Sequence, residues 1–432
     1  MRLIVQPAQR ALQGRYRAPG DKSVSHRAAI LGGLAEGETR ITGFLDSADT
    51  RATLGAMAAL GASVSEADGE IRMQGGRLRA PTTDLDLGNS GTGIRLLTGA
   101  LAGHPDLHGQ RVRLVGDESL SVRPMGRIIE PLRSMGAEID SVDGHAPLTL
   151  SPRPLHGLRY EQPMASAQVK SALLLAGLNA EGATEITEPG ISRDHTERML
   201  PAFGVRLQRS ERGCRLDGQQ RLQGTFCQVP GDLSSAAFIM AAGLLVEGSS
   251  IELAAVGLNP TRDGVLRVLE AMGASIACEP TTGADEEPAG HLRVSSCRLA
   301  GLDIAPEWVP LAIDEFPVIM ALAARAEGTT RIRGAEELRV KESDRLAVMC
   351  QELSKLGVSV SEHADGADIA GGRVQGGQVD SHGDHRIAMS LAVLALAADG
   401  PVEIENAEWI RTSYPGFVDD MRRLGADMEW GD

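Results

Sequence analysis

Residues 18–31 read APGDKSVSHRAAIL and place a lysine, a serine and an arginine where Pro-Gly-Asp gives way to an apolar helix. Val24, Ala28, Leu31 and Ala35 recur at i, i+4, i+7 and i+11, which makes them the packing stripe of that helix. Ser23 and Arg27 stand one turn apart on a different face. Lys22, Ser23 and Arg27 are therefore expected to reach one phosphate or carboxylate at the helix mouth. The argument is electrostatic, because the free N–H groups and the macrodipole make a helix N-terminus positive. Cations there are best explained by an anion held between them and the exposed N–H groups. Similar starts recur at GNSGTGIR, ASAQVK, DLSSAA, DEFP and DHRIAM, most with a Ser, Asn or Asp able to cap. Capping does not explain Arg95, Lys170 and Arg386, so these too point to an anion.

Acidic groups appear at two of these mouths. FPVIMALAA after Asp314 and IAMSLAVLALAA after Asp384 are nearly unbroken apolar runs, so both helices should be buried on most sides. Asp314, Asp384 and Arg386 are accordingly expected to be functional. In VKESDRLAVMCQEL, Leu346, Met349 and Leu353 form a core stripe that Glu342 and Arg345 continue backwards. An i, i+3 surface ion pair, worth only ~0.2–0.5 kcal/mol, is the plainer alternative for those two. PGDKS lacks the glycine that a P-loop places directly before its lysine. HGDH at 382–385 reads as a structural cap rather than a metal site. The sequence contains no GxGxxG after a strand, no GxSxG elbow and no CxxC pair.

The elements that must hold these residues repeat six times. A helix-ending phrase recurs as LGAS at 60, MGAE at 135, FGV at 203, MGAS at 272, LGVS at 356 and LGAD at 424. Between the copies, an apolar helix stops at glycine and a β-rich run follows, as in LAEGETRITG and ARAEGTTRIRG. Each unit is thus helix, strand, helix, strand with further short strands. The two PGD phrases, at 19–21 and 230–232, are the strongest punctuation. The expected division is 1–20 with 232–432, and 21–231, three units in each, with the N-terminal strand joining the C-terminal half.

Composition narrows the partners. Aromatics make up only 3% of the 432 residues and the formal charge is −15, which argues against stacking platforms and against general binding to nucleic acid or anionic membrane. A small anionic substrate in a locally basic cleft remains compatible. The five cysteines are odd in number and widely spaced, as expected of free thiols in a reducing compartment. No apolar run reaches the ~18 residues of a membrane span, and MRLIVQPAQR lacks a signal-peptide pattern. A cytoplasmic location is expected.

The runs PGDKSVSHR, GNSGTGIRLL, SVRPM, SAQVKSALLLAGL, SRDHTERML, PGDLSSAAF, VKESDRL and GDHRIAM, with Asp314, follow one another over essentially the whole chain. In that order they resemble the 5-enolpyruvylshikimate-3-phosphate synthase family. The resemblance implies an α/β fold of two inverted domains, each of three βαβαββ units, joined by a two-stranded hinge. It implies enolpyruvyl transfer from phosphoenolpyruvate to shikimate-3-phosphate, with no metal or organic cofactor and a monomeric protein. Lys22, Gly91, Arg123, Gln168, Arg345 and Arg386 would bind phosphoenolpyruvate. Lys22, Ser23, Arg27, Ser166, Ala167, Gln168, Arg193, Asp314 and Lys341 would bind shikimate-3-phosphate. Asp314 would contact the reacting hydroxyl and Glu342 would serve the methylene carbon, with Lys22 a competing proton-transfer group. The SAQVK form resembles the branch associated with glyphosate tolerance, whereas Gly91 leaves room beside phosphoenolpyruvate. Some members carry a lysine where Thr412 stands here, next to Arg411. The sister enzyme acting on UDP-N-acetylglucosamine is disfavoured because GDESLSVRP has no cysteine, and a noncatalytic repeat scaffold does not account for the unequal charges at equivalent helix mouths.

Overall fold

The computed structural model describes residues 1–281 and 287–431. Its contacts divide the chain into two units. Of the described residues, one comprises Met1–Pro19, 231–281 and 288–431, and the other comprises Gly20–Pro230 with Glu287. The chain passes between them within the two PGD phrases, at Pro19–Gly20 and Pro230–Gly231. Each unit has its own buried apolar cluster.

Within the Gly20–Pro230 unit, three four-stranded sheets share one pattern. Gly37–Thr42 pairs in parallel with Phe226–Gln228 and antiparallel with Glu70–Gly75, which forms a hairpin with Ser63–Ala67. Val112–Val115 and Ala183–Thr187 occupy the same place in the other two sheets. The helix that precedes each of these strands packs inward. Lys22–Leu34, Gly91–Ala102 and Ala167–Gly177 are almost wholly buried beyond their first turns. This is why their sequences are apolar on nearly every face, with small residues where two backbones meet. A Cβ on Gly99 would lie 2.1 Å from the Ala172 carbonyl oxygen. Gly99→Ala should therefore destabilise the protein by ~1–3 kcal/mol, read as a lower urea midpoint. A midpoint equal to the parent's would mean that the two helices separate at no cost.

The other unit repeats the plan with two differences. Its sheet around Thr329–Ile332 has three strands, and the fourth position is reduced to single parallel bridges at Ala300 and Asp303. Its last sheet is completed by the chain's beginning, since Arg2–Val5 lies antiparallel between Val402–Glu405 and Met428–Gly431. The six-unit α/β architecture expected from the repeated phrases is the one observed. Among the described residues, no helix is long and apolar enough to cross a membrane.

Candidate active site

Capping sets the geometry of the helix mouths. Asp21 accepts from the Val24 N–H at 2.9 Å, Ser90 from Gly93 at 2.9 Å, and Ser166 from Val169 at 3.5 Å. Asp384 does the same for the Arg386 N–H at 2.9 Å. Each side chain satisfies a donor that the helix itself leaves open and so fixes where the next residues begin.

In the Gly20–Pro230 unit, the candidate residues at rest are engaged by side chains from several elements. Lys22 Nζ lies 2.5 Å from Asp49 Oδ2. Arg27 is buried, with Nε on Thr196 Oγ1 at 2.7 Å, Nη2 on Ser171 Oγ at 2.7 Å and Nη1 on the Ser23 carbonyl at 2.9 Å. Burial pushes the Arg27 guanidinium down to about 10, so it stays charged at neutral pH. Lys22 and Arg27 thus each meet a partner from another element, and the Arg27 guanidinium also folds back onto the Ser23 carbonyl.

Gly91, Arg123 and Gln168 do come together. Arg95 Nη1 donates to Gln168 Oε1 at 2.8 Å, and Gln168 Nε2 to Thr92 Oγ1 at 3.1 Å, tying two helix mouths side by side. Arg123 Nη2 donates to Asn89 Oδ1 at 2.7 Å. A Cβ on Gly91 would approach Arg95 Nη1 to 2.9 Å and Arg123 Nη1 to 3.3 Å, so the glycine keeps those guanidiniums where they are. Beneath them, His26 bridges Thr53 Oγ1 at 2.8 Å and Ser90 Oγ at 3.3 Å. Burial, reinforced by Lys22 and Arg27, holds its imidazole well below the ordinary value and hence neutral. Ser166 and Ala167 are half-buried at the mouth of Ala167–Gly177. Arg193 follows Ser192, which donates to Glu188 Oε2 at 2.6 Å.

Lys170 corrects one inference. Its ammonium is buried and lies 2.5 Å from Glu188 Oε1 and 2.8 Å from Glu197 Oε1. The anion implied by a lysine near a helix mouth is therefore two of the protein's own carboxylates. Burial would lower the ammonium's pKa, but Glu197 and Glu188 outweigh it and raise it.

In the other unit, Arg345 is the centre. Its side chain is 1% exposed. Nε donates to Asp384 Oδ2 at 2.7 Å and Nη2 to Glu342 Oε2 at 2.7 Å, while Nη1 stands 3.7 Å from Asp314 Oδ1. Lys341 Nζ is 3.6 Å from the same Asp314 oxygen, and Arg386 Nη1 donates to the Asp314 carbonyl at 2.9 Å. Asp314, Lys341, Glu342, Arg345 and Arg386 are thus brought together. Asp314 itself sits in a 3-10 turn, Ile313–Glu315, before the helix Phe316–Ala323, not at that helix's first residue. The plain surface pair considered for Glu342 and Arg345 does not describe a guanidinium so completely buried.

The electrostatics of this group have a definite sense. Burial would raise the Glu342 carboxyl, but the Arg345 charge outweighs it and holds it below the ordinary range, so Glu342 is ionised. Asp384 is held low in the same way. The His385 imidazole is pushed down to about 3, first by burial and then by Arg386, and is neutral. The resting group has carboxylates able to take protons and fixed cations to bind anions. Among the described residues no group of three His, Cys, Asp or Glu side chains could hold a metal ion. Arg411 stacks on Trp430, 4.8 Å from the ring centroid, and Thr412 Oγ1 donates to the Trp409 carbonyl.

Comparison with known proteins gives a consistent picture. The family model described as EPSP synthase (3-phosphoshikimate 1-carboxyvinyltransferase) matches residues 6–421. The chain is 52% identical to the 3-phosphoshikimate 1-carboxyvinyltransferase of Acidithiobacillus ferrooxidans over 99% of both chains. It is 48% identical to that of Coxiella burnetii, covering 98% of this chain and 97% of the other. The solved EPSP synthase of Acinetobacter baumannii superposes with a TM-score of 0.93 at 43% identity, covering 100% of both chains.

Proposed function

The chain belongs to the EPSP synthase family, and from that premise we propose that it transfers the enolpyruvyl group of phosphoenolpyruvate to the 5-hydroxyl of shikimate-3-phosphate and releases phosphate. The observation that carries the chemistry is the buried Arg345 with carboxylates on two sides and Arg386 and Lys341 beside it. Such fixed cations suit a substrate that bears both phosphate and carboxylate.

In this reading Lys22, Gly91, Arg123, Gln168, Arg345 and Arg386 hold phosphoenolpyruvate. Lys22, Ser23, Arg27, Ser166, Ala167, Gln168, Arg193, Asp314 and Lys341 hold shikimate-3-phosphate. Asp314 orients the reacting hydroxyl. In the first half the hydroxyl passes its proton to the Asp314 carboxylate as its oxygen bonds to the central carbon of phosphoenolpyruvate and the methylene carbon gains a proton, and the proton held on Asp314 later leaves with the phosphate. In the second half a proton leaves the new methyl group as the C–O bond to phosphate breaks. The ionised Glu342 is suited to take that methyl proton, and once protonated it can supply the methylene carbon in the next addition. Lys22 is the competing proton donor, with Asp49 as its resting partner. The protein is taken to act as a monomer in the cytoplasm, and light scattering of the purified chain tests its oligomeric state.

The test of the activity is phosphate release from purified protein with phosphoenolpyruvate and each of two acceptors, shikimate-3-phosphate and UDP-N-acetylglucosamine. Release that depends on shikimate-3-phosphate is expected. Release with the nucleotide sugar alone, or with neither acceptor from folded protein, would overturn the assignment.

A further inference from the structure

Glu352 has a fully buried side chain at a position where a leucine would serve packing. It lies on the helix Arg345–Lys355, seven residues after Arg345 and hence on the same face. Both ends of that face meet the segment 380–384, which leads into the helix His385–Ala395. Arg345 engages Asp384. Glu352 Oε2 accepts the Asp380 backbone N–H at 2.9 Å, and Oε1 lies 3.1 Å from His382 Nε2. Lys355 Nζ, 2.8 and 2.9 Å from the two oxygens, balances the charge. His382 has φ 51°, a left-handed conformation that a non-glycine residue adopts only where its surroundings impose it. The turn ends at the Asp384 cap, two residues before Arg386.

We propose that Glu352 is a positioning residue for Arg386, holding the strained turn at 380–382 so that the guanidinium is delivered to its place beside Asp314. A buried carboxylate is costly unless its hydrogen bonds are complete; here two of its contacts go to one turn and Lys355 supplies the others. The proposal rests on Arg386 binding phosphoenolpyruvate, as assigned above.

The test compares steady-state kinetics of Glu352→Ala, Glu352→Gln and Arg386→Ala with the parent. Displacing Arg386 should raise the KM for phosphoenolpyruvate about 10-fold in Glu352→Ala, with kcat little changed and the KM for shikimate-3-phosphate unmoved. Glu352→Gln keeps a carbonyl acceptor for the Asp380 N–H and should recover most of the loss. A merely structural role would lower the active fraction, and so the apparent kcat, without separating the two KM values. Parental KM for phosphoenolpyruvate in Glu352→Ala, with a raised value in Arg386→Ala, overturns the role of Glu352 alone. Parental KM in Arg386→Ala overturns instead the assignment of Arg386. Should Glu352→Ala not fold, His382→Ala removes the other end of the contact at a surface position. A rise of about threefold in the same KM is then expected, and no rise counts against the proposal.

Discussion

Glu342→Gln is expected to lower kcat by about 10²–10⁴-fold while leaving both KM values within a few-fold of the parent, the usual range for losing a general acid–base group. The amide keeps an oxygen for the Arg345 bond, so the fold should survive. Arg345 retains Asp384 as its buried counter-ion, so the guanidinium is not left without a charged partner. What the substitution removes is the capacity to exchange a proton at the methylene carbon. Two readouts separate this from misfolding. Turnover should fall without a change in urea midpoint. Wash-in of solvent deuterium into the methylene group of phosphoenolpyruvate, in the presence of shikimate-3-phosphate, should slow in parallel. Parental turnover would remove Glu342 from the mechanism and leave Lys22 as the proton-transfer group.

The second large effect concerns stability. Lys170→Met should cost ~3–5 kcal/mol at pH 8, because two buried carboxylates lose the cation between them. The sign of its pH dependence follows from Glu197. Burial already holds that carboxyl above its ordinary value, against the pull of Lys170. Without the lysine it rises further, so the folded state binds protons at a pH where the unfolded chain does not. Stability is then regained as pH falls from 8 toward the unfolded carboxylate range, and lost again as pH rises through the folded value. Urea midpoints at pH 8 and pH 5.5 should show the gap to the parent shrinking at the lower pH. A loss below ~1 kcal/mol, or one that ignores pH, would mean that the cluster does not hold the charges assigned to it. The same variant should weaken binding of shikimate-3-phosphate, since Glu188 also holds Ser192, the neighbour of Arg193.

Much of the site could be read from the sequence because its logic is local. A cap such as Asp21, Ser90 or Asp384 satisfies donors two or three residues away, and the six-fold phrase exposes equivalent helix starts for comparison. Glu342 and Arg345 were legible as a pair because they continue an apolar stripe. What stayed hidden lies between residues far apart in sequence. Nothing near Lys22 announces Asp49, and nothing near Arg27 announces Thr196, 169 positions later. Asn89 within GNSGTGIR has the residue type of a cap, whereas its side chain holds Arg123. Lys170 follows the same rule. Its partners come from the end of a strand and from another helix, so the sequence revealed a cation in need of an anion without saying whose. Glu352 left one clue, an acid one residue before the core position Leu353.

The strand Arg2–Val5 that completes the last sheet has a consequence for synthesis. Residues 2–5 wait long for their partners, because Val402–Glu405 and Met428–Gly431 are translated some 400 residues later. The Gly20–Pro230 unit suffers no such delay, since its strands pair among themselves. At ~5–20 residues per second, the opening strand waits on the order of tens of seconds with an unpaired apolar edge. During that interval it is exposed to chaperones and to other nascent chains, and the unit it closes is finished only once Met428–Gly431 has emerged. Limited proteolysis of stalled ribosome complexes should find the 20–230 segment protected well before the N-terminal strand, and simultaneous protection would refute this order.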